Sequence, residues 1–502
     1  MRKNKAIINT LSSILLQITI IICGLIIPKR IIMVFGSDVN GIITSITKFL
    51  SLIILMESGF GVVIKSLLFK PIANKDTKQV EKIIKASEKI FKKISYAFII
   101  YVLFLCVILP QFFKNQFSSW YTLSLIVIIM ISTFAEYYIG MTYKLFLQAS
   151  QKGYIDSIIQ IITYIINTIV ILALLKIKAN IQLIKGITAL IYVIRPILLK
   201  TYVKNKYNIN TKNVKEEIAL KEKWDGLAQH IAYVIHTNTD ILILSLCTKI
   251  SEVSVYSIYL MIIEGVKKLI QSLDNGIEAT FGDMIAKNEN EILNKSFKKY
   301  EGIYLSVSTI AFVSMYFLIV PFVKIYTKGI NDVSYIRPDF ASIIVIAEFI
   351  FIIRQLYYGL VKVSGDFKQT RNGAIIEAII NILISLILVW KYGITGVAIG
   401  TLVAMIIRTI EIIRYTNKKI LKRSIYYSIK RIIIIIIEFI ITYLLLKIIN
   451  LNEVNNTYEW IKNAFIVTGI TTIIVISINS IAFKENIKEI ISFLFGRKRN
   501  EK

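Results

Sequence analysis

Cysteine, histidine and acidic side chains are scarce in this chain. Its 502 residues include three Cys, two His and 32 Asp and Glu. The cysteines, Cys23, Cys106 and Cys247, lie in apolar segments and form no CxxC pair, so they indicate neither a disulfide framework nor a metal site. The sequence also lacks zinc-ligand spacing, a nucleotide-binding loop and a nucleophile arrangement. We therefore predict no metal, no cofactor and no enzymatic activity.

Apolar segments make up most of the sequence. The sequence is 55% hydrophobic, and its mean hydropathy is +0.66. A helix crosses the bilayer with roughly 20 apolar residues, because the hydrocarbon layer is about 30 Å thick and a helix rises about 1.5 Å per residue. About fourteen segments reach that length, so we predict an all-α, polytopic integral membrane protein. The predicted spans are 6–28, 40–64, 94–113, 120–143, 154–175, 181–199, 226–247, 254–286, 301–323, 338–361, 372–390, 397–414, 431–450 and 461–482.

Positive charge is concentrated in alternate connections between these spans. The formal net charge of +28 would suggest nucleic-acid binding in a soluble protein. In a membrane protein, however, the cytoplasmic loops collect Lys and Arg. Counted with the N-terminus inside, the inner connections hold 41 Lys and Arg and the outer ones hold 11. We therefore predict that both termini are cytoplasmic and that nucleic acid is not a partner.

The charged segment 204–225 divides the spans into two sets of six. We predict an N-terminal lobe at 1–203, a cytoplasmic inter-lobe segment at 204–225 and a C-terminal lobe at 226–414. Two further spans lie within 415–482, and a basic amphipathic cytoplasmic tail follows at 483–502.

Amphipathic patterning also occurs in the inner segment 65–93. Ile83, Phe91 and Ile94 recur there at helical spacing among lysines. This pattern suits a helix on the anionic inner leaflet, with its apolar face in the lipid. We predict the same location for the tail at 483–502.

A weak internal repeat, which we call the sequence echo, relates the two sets of six spans. An acidic residue opens the fifth span and the eleventh, Asp156 and Glu377, where the positive end of the helix dipole favours an acid. In the span after each, a Gly precedes an Arg: Gly186 and Arg195, then Gly400 and Arg408. Because six is an even number, the halves would form a parallel repeat around a cavity. Chance similarity among Ile-rich helices would produce the same echo.

Several motifs, in matching order along nearly the whole chain, resemble a known family. They are FGSDVNG at 35–41 before ESG at 57–59, NTDILILS at 238–245 with VYSIY at 255–259, and GDFK at 365–368 with GITGVAIGT at 393–401. The chain resembles the bacterial polysaccharide flippases (O-antigen, capsule or teichuronic type) of the multidrug/oligosaccharidyl-lipid/polysaccharide transporter superfamily. The resemblance implies a two-lobed transporter in the bacterial cytoplasmic membrane. It would move undecaprenyl-diphosphate-linked oligosaccharides from the inner to the outer leaflet by alternating access, beside the polymerase and glycosyltransferases of the same pathway.

Some cations lie inside predicted spans, where a Lys or Arg at the helix centre costs roughly 2.5–3.5 kcal/mol and normally faces a cavity or a partner. Lys267 lies near the midplane of the eighth span and Lys48 lies about 12 Å deep in the second. The better intrahelical spacing pairs Glu264 with Lys268 and leaves Lys267 open. Three arginines lie closer to the inner face and are expected to reach the phosphate headgroups; they are Arg195, Arg354 and Arg408.

Cations in a wet cavity would offset the cost of moving a diphosphate through apolar surroundings. The lipid II flippase uses basic residues on its first, second and eighth spans, and the resemblance therefore implies headgroup binding by Arg30, Lys48 and Lys267. For two of these residues, a purely structural role is the alternative. Arg30 lies at the outer end of its span, where snorkelling suffices, and Lys267 can form a structural pair with Glu264.

Three further side chains are candidates for coupling to an ion. His236 and Asp240 are four residues apart on the seventh span and share a face, so together they could carry a proton. The alternative is a fixed hydrogen-bonded pair, or Asp240 bonded to a neighbouring Thr. Glu57 lies toward the inner end of the second span and could pair with lysines there.

Two other functions compete with a flippase. A membrane glycosyltransferase or polymerase of the same pathway generally needs a long outer loop with acidic, Arg or His groups, and the outer loops here are short. A cation-coupled multidrug exporter of the same superfamily would favour acids at the centre of the cavity, which Lys267 opposes.

Overall fold

The computed structural model of the chain describes residues 2–57, 60–209, 211, 214, 227–272, 277–449 and 453–483. These residues form helices joined by turns, without a β-strand among them. The helices are α1 (Arg2–Phe35), α2 (Ser37–Ser51), α3 (Ile54–Glu57), α4 (Phe60–Ala73), α5 (Thr77–Phe113), α6 (Ser119–Ala135), α7 (Met141–Ala149), α8 (Gly153–Lys176), α9 (Ile181–Tyr207), α10 (Leu227–Cys247), α11 (Ile250–Gln271), α12 (Ile277–Ala286), α13 (Asn290–Tyr326), α14 (Pro338–Ser364), α15 (Arg371–Tyr415), α16 (Tyr426–Ile449) and α17 (Thr457–Ala482). Glu136–Gly140 and Thr416–Ile420 are π-helical.

Each predicted span has a helical counterpart in this order. Within the described residues, ten helical segments are long and apolar enough to cross a membrane. This finding confirms the all-α, multi-span prediction. One of the ten contains α15, which carries the predicted eleventh and twelfth spans together. The predicted second span is divided among α2, α3 and α4, and the seventh and eighth correspond to α10 and to α11 with α12.

Helix α15 folds back on itself at Gly393. This residue has φ 55° and ψ −130°, a conformation that glycine adopts without steric cost. Beyond the turn, a Cβ added at Gly396 would overlap the backbone of Leu388, and one added at Gly400 would overlap Ser385. The two arms of α15 therefore pack at a separation that only glycine permits at these positions.

Helix α5 runs without a break from the inner segment through the third predicted span. Its apolar face is buried within the protein, where Ile83 and Phe91 are each 1% exposed and Ile94 is 7% exposed. Helices α6 and α7 pack against it. The prediction that this face lies on the inner leaflet is therefore wrong. Helical spacing of apolar residues is the same whether lipid or protein covers them.

The chain divides into two compact units. The first contains 1–261 and 329–333, and the second contains 262–328 and 334–502. In the first, α1 packs on α8 and α2, while α9 packs on α6 and α8. In the second, α14 packs on α13 and α15, and α13 packs on α17. The predicted lobes stay a prediction, and most of the segment 204–225 and nearly all of the predicted tail lie outside the described residues.

The side-chain amide of Asn479 forms hydrogen bonds between the last two helices of the second unit. The side chain of Asn479 on α17 donates to Glu438 Oε1 at 2.6 Å and accepts from Arg431 Nη1 at 3.0 Å. Glu438 and Arg431, two turns apart on α16, are 1% and 4% exposed. Buried charges require hydrogen-bonded partners. Asn479 supplies one to each, and so it ties α17 to α16.

Candidate functional site

The predicted central cation, Lys267, lies in a cluster of opposite charges in the second unit. Its Nζ donates to Glu264 Oε1 at 2.6 Å and to Glu348 Oε2 at 2.5 Å. Its side chain is 3% exposed and that of Glu348 is 5% exposed, but that of Glu264 is 41% exposed. The expectation that Glu264 pairs with Lys268 and leaves Lys267 open is wrong. Sequence reasoning missed Glu348 because it is 81 residues away on α14.

A second set of buried charges follows on α14 and α15. Arg354 Nη1 donates to Glu377 Oε1 at 2.5 Å, and Arg408 Nε lies 3.4 Å from Glu377 Oε2. Arg408 also binds Glu411, three residues further along α15. The arginine side chains are 8% and 2% exposed. The prediction that Arg354 and Arg408 reach the headgroups is wrong, because both bind carboxylates inside the protein.

The ring of Phe351 lies between these two sets. Its centroid is 4.4 Å from Lys267 Nζ and 4.8 Å from the guanidinium carbon of Arg354. The faces of an aromatic ring attract cations electrostatically. The Glu264–Lys267–Glu348 cluster and the Arg354–Glu377–Arg408–Glu411 cluster thus form one array of alternating charge, which we call the buried charge array.

The first unit holds a counterpart of the acid–arginine pair. Arg195 Nη2 donates to Asp156 Oδ1 at 3.0 Å, and Gln160 donates to Asp156 Oδ2 at 3.0 Å. Arg195 also lies 3.6 Å from Glu136. The expectation that Arg195 reaches the headgroups is wrong. The acids and arginines of the sequence echo, at 156 with 195 and at 377 with 408, therefore pair within their own units.

Lys48, the second predicted cation, is in the last turn of α2. Its Nζ donates to the Thr237 carbonyl on α10 at 3.0 Å, and its side chain is partly exposed. Nearby, Ser51 donates to Asn238 Oδ1 at 3.0 Å. A cation at a helix C-terminus also interacts favourably with the helix dipole. Arg30, the third, is exposed on α1.

The proposed ion-coupling residues lie in the first unit. His236 and Asp240 are each 5% exposed on α10. Asp240 Oδ2 accepts a hydrogen bond from the Tyr256 hydroxyl at 2.5 Å, a partner on α11 that the sequence argument did not name. Glu57 on α3 accepts from the Tyr137 hydroxyl at 2.9 Å, and the positive charges of Lys144 and Lys65 also act on it.

The chain was compared with known proteins. The family model MatE matches residues 227–387. Comparison with curated proteins gave no match. The lipid II flippase MurJ, in an inward closed conformation, superimposes with a TM-score of 0.67 at 16% identity, covering 96% of this chain and 100% of its own.

Two other solved structures share the architecture more loosely. A transporter of the multidrug/oligosaccharidyl-lipid/polysaccharide (MOP) superfamily from Pyrococcus furiosus gives a TM-score of 0.53 at 11% identity, covering 83% of this chain and 97% of its own. An inward-facing multidrug resistance MATE transporter gives 0.51 at 13% identity, covering 80% and 92%. Identities this low establish a shared fold alone. The chain is an all-α, multi-span membrane protein with the fold of MOP-superfamily transporters and a MatE match at residues 227–387.

Proposed function

We propose that this protein is a flippase that moves an undecaprenyl-diphosphate-linked oligosaccharide from the inner to the outer leaflet of the bacterial cytoplasmic membrane by alternating access. The observation that carries the proposal is the ammonium group of Lys267, buried to 3% exposure beside a carboxylate, Glu264, that is 41% exposed. The order of the flippase-like motifs supports the same cargo. The fold similarity to the lipid II flippase MurJ, which extends over 96% of the chain, is compatible with a flippase.

A diphosphate needs cations to offset the cost of leaving water. Lys267 can supply one when Glu264 turns away, because the exposed carboxylate can be solvated while the buried Glu348 cannot.

The remaining predicted residues take supporting roles in this proposal. Lys48, half-buried at the end of α2, and Arg30, exposed on α1, would bind the phosphates or sugars. Asp240 with His236, and Glu57, are the proposed ion-coupling groups. Asp240 and Glu57 each accept a hydrogen bond from a tyrosine, and His236 is buried one turn from Asp240. The polymerase and glycosyltransferases of the pathway are the proposed protein partners.

The direct test is inactivation of the gene. Lipid-linked repeat units should then accumulate on the inner leaflet, and surface polysaccharide should be lost. The measurement is leaflet-specific labelling of the lipid-linked sugar. If its distribution between the two leaflets is unchanged, the proposal is wrong.

The Lys267→Ala variant should abolish export while expression persists. Lys268→Ala, the adjacent cation on α11, is the matched control and should export normally. Because Lys267→Ala leaves Glu348 buried without its partner, we include the double variant Lys267→Ala/Glu348→Gln, which removes both charges. Export that returns in the double variant would show that Lys267 only balances Glu348.

A multidrug exporter is the second candidate. It is favoured by one observation, that two carboxylates surround Lys267 where the sequence alone indicated an open cation. An acidic site suits cationic drugs. This function predicts that inactivation raises sensitivity to cationic drugs while lipid-linked intermediates keep their normal distribution.

A further inference from the structure

A cavity of about 520 Å³ opens beside the last turns of α15 in the second unit. Its apolar part is formed by Ile407 and Ile410, which are 40% and 46% exposed. Its polar part is formed by Arg414, Lys418 and Lys419, all exposed. Positive charge and apolar surface thus meet in one cavity at the end of a predicted span.

The order of these side chains along the helix separates the two parts by depth. Ile407, Ile410, Arg414 and Lys418 follow at spacings of three or four residues and so share a face. From Ile407 to Lys418 the helix rises about 16 Å. The apolar end lies within the span, and the basic end reaches the side that the charge bias assigns to the cytoplasm. A phospholipid has the same order, from acyl chain to charged headgroup.

The cations of the cavity have no anionic partner in the part of the chain that the structure describes. Arg414, Lys418 and Lys419 form no ion pair there, although Glu411 also lines the cavity. Glu411 binds Arg408 instead. The charge of the three cations is therefore left for another anion to compensate.

The backbone that carries the lysines is held in place. Thr416–Ile420 is π-helical. Thr416 donates to the Ile412 carbonyl at 2.8 Å, and Asn417 donates to the Ile413 carbonyl at 2.8 Å and to Ser428 on α16 at 3.0 Å. π-helical turns are rare and frequently occur at functional sites. Here the turn keeps Lys418 and Lys419, adjacent in sequence, on the wall of one cavity.

We propose that this cavity binds an anionic membrane phospholipid of the phosphatidylglycerol type. The phosphate contacts Arg414 and the two lysines, and an acyl chain lies along Ile410 and Ile407. The occupant is a lipid rather than a free phosphate, because the lining includes Ile407 and Ile410, which lie deeper in the predicted span than the cations. The inference is independent of the proposed function, since it concerns a lipid that is not the cargo.

The test is titration of the purified full-length protein in detergent with phosphatidylglycerol and with phosphatidylcholine, followed by native mass spectrometry. We expect phosphatidylglycerol to bind at least tenfold more tightly. The triple variant Arg414→Gln/Lys418→Gln/Lys419→Gln should remove that preference, because each basic residue near an anionic lipid contributes a factor of about five. The matched control Lys200→Gln/Lys204→Gln/Lys206→Gln loses the same charge at the end of α9 and should keep the preference.

Two further measurements distinguish lipid binding from phosphate binding and from a folding defect. Glycerol 3-phosphate, which has the headgroup phosphate without acyl chains, should not displace phosphatidylglycerol. Ile410→Gln should weaken lipid binding while all three cations remain, and it serves if the triple variant does not fold. Equal binding of the two lipids to the wild-type protein, retained preference in the triple variant, an equal loss in the control, or displacement by glycerol 3-phosphate would each overturn the proposal.

Discussion

Glu377 is the carboxylate on which two arginines depend. Arg354 binds it at 2.5 Å and Arg408 lies 3.4 Å from it, and the Glu377 side chain is 4% exposed. Removal of one member of a buried ion pair typically costs about 3–5 kcal/mol, because an uncompensated charge stays behind. Both arginines therefore depend on this one buried side chain for an ion pair.

Glu377→Gln should lower the stability of the protein by about 3 kcal/mol, since it keeps the shape of the side chain but leaves the buried Arg354 without its carboxylate and Arg408 with Glu411 alone. The measurement is the midpoint of thermal unfolding of the full-length chain in detergent. Glu411→Gln is the control. Its carboxylate also binds Arg408 but is 37% exposed, and its loss should cost about 1 kcal/mol or less. Equal shifts for the two variants would contradict the role of Glu377.

The ion-pair partners of these buried charges could not be predicted from the sequence. The echo identified the acids and arginines, yet Asp156 and Glu377 were assigned to helix dipoles and the arginines to headgroups. Asp156 and Arg195 are 39 residues apart, and Arg354 and Glu377 are 23 apart. Helical spacing rules describe neighbours three or four residues apart, so pairs between helices require the tertiary structure.

At the scale of the helix, Gly400 and Gly186 share one sequence pattern but differ in how closely other atoms approach them. Both are glycines of the echo, each preceding an arginine. A Cβ at Gly400 would overlap Ser385, whereas one at Gly186 on α9 would meet nothing within 4 Å. The glycine is thus required in the hairpin of α15 and dispensable in α9.

Gly400→Ala should destabilise the protein by about 1–3 kcal/mol, because the backbone of the opposite arm must move to admit the methyl group. Gly186→Ala should leave stability unchanged or raise it by up to about 1 kcal/mol, since alanine favours helix. Thermal unfolding of both variants in one detergent gives the comparison. A neutral Gly400→Ala would show that the arms of α15 are not closely packed.

Helix α5 shows a second property that local sequence patterns do not predict, namely what covers an apolar helix face. Hydrophobic periodicity predicted its helix and its apolar face correctly. It did not indicate that protein covers this face, with Phe91 1% exposed, because burial against lipid and against other helices requires the same spacing.

At the scale of the whole molecule, the order of the helices was the most predictable property. Spans follow from the local balance of apolar residues and bilayer thickness, and each of the fourteen predicted segments contains helix within the described residues. The orientation rests on the distribution of Lys and Arg and stays a prediction.

The two ends of α5 test that orientation. Lys78 and Lys114 are both exposed and lie at its start and just beyond its end. In a chain whose native cysteines are replaced by serine, Lys114→Cys should react with a membrane-impermeant maleimide in intact cells. Lys78→Cys should react only after the cells are opened. The reverse pattern would place both termini outside.

The link between α16 and α17 bears on how the chain is made. Ribosomes deliver α16 first, so Glu438 enters the translocon before Asn479, its hydrogen-bond donor at 2.6 Å, exists. A carboxyl group without a partner is unfavourable in lipid. We therefore expect co-translational insertion of α16 to be completed only when α17 emerges, and a nascent chain that ends before Asn479 to be degraded by membrane quality-control proteases.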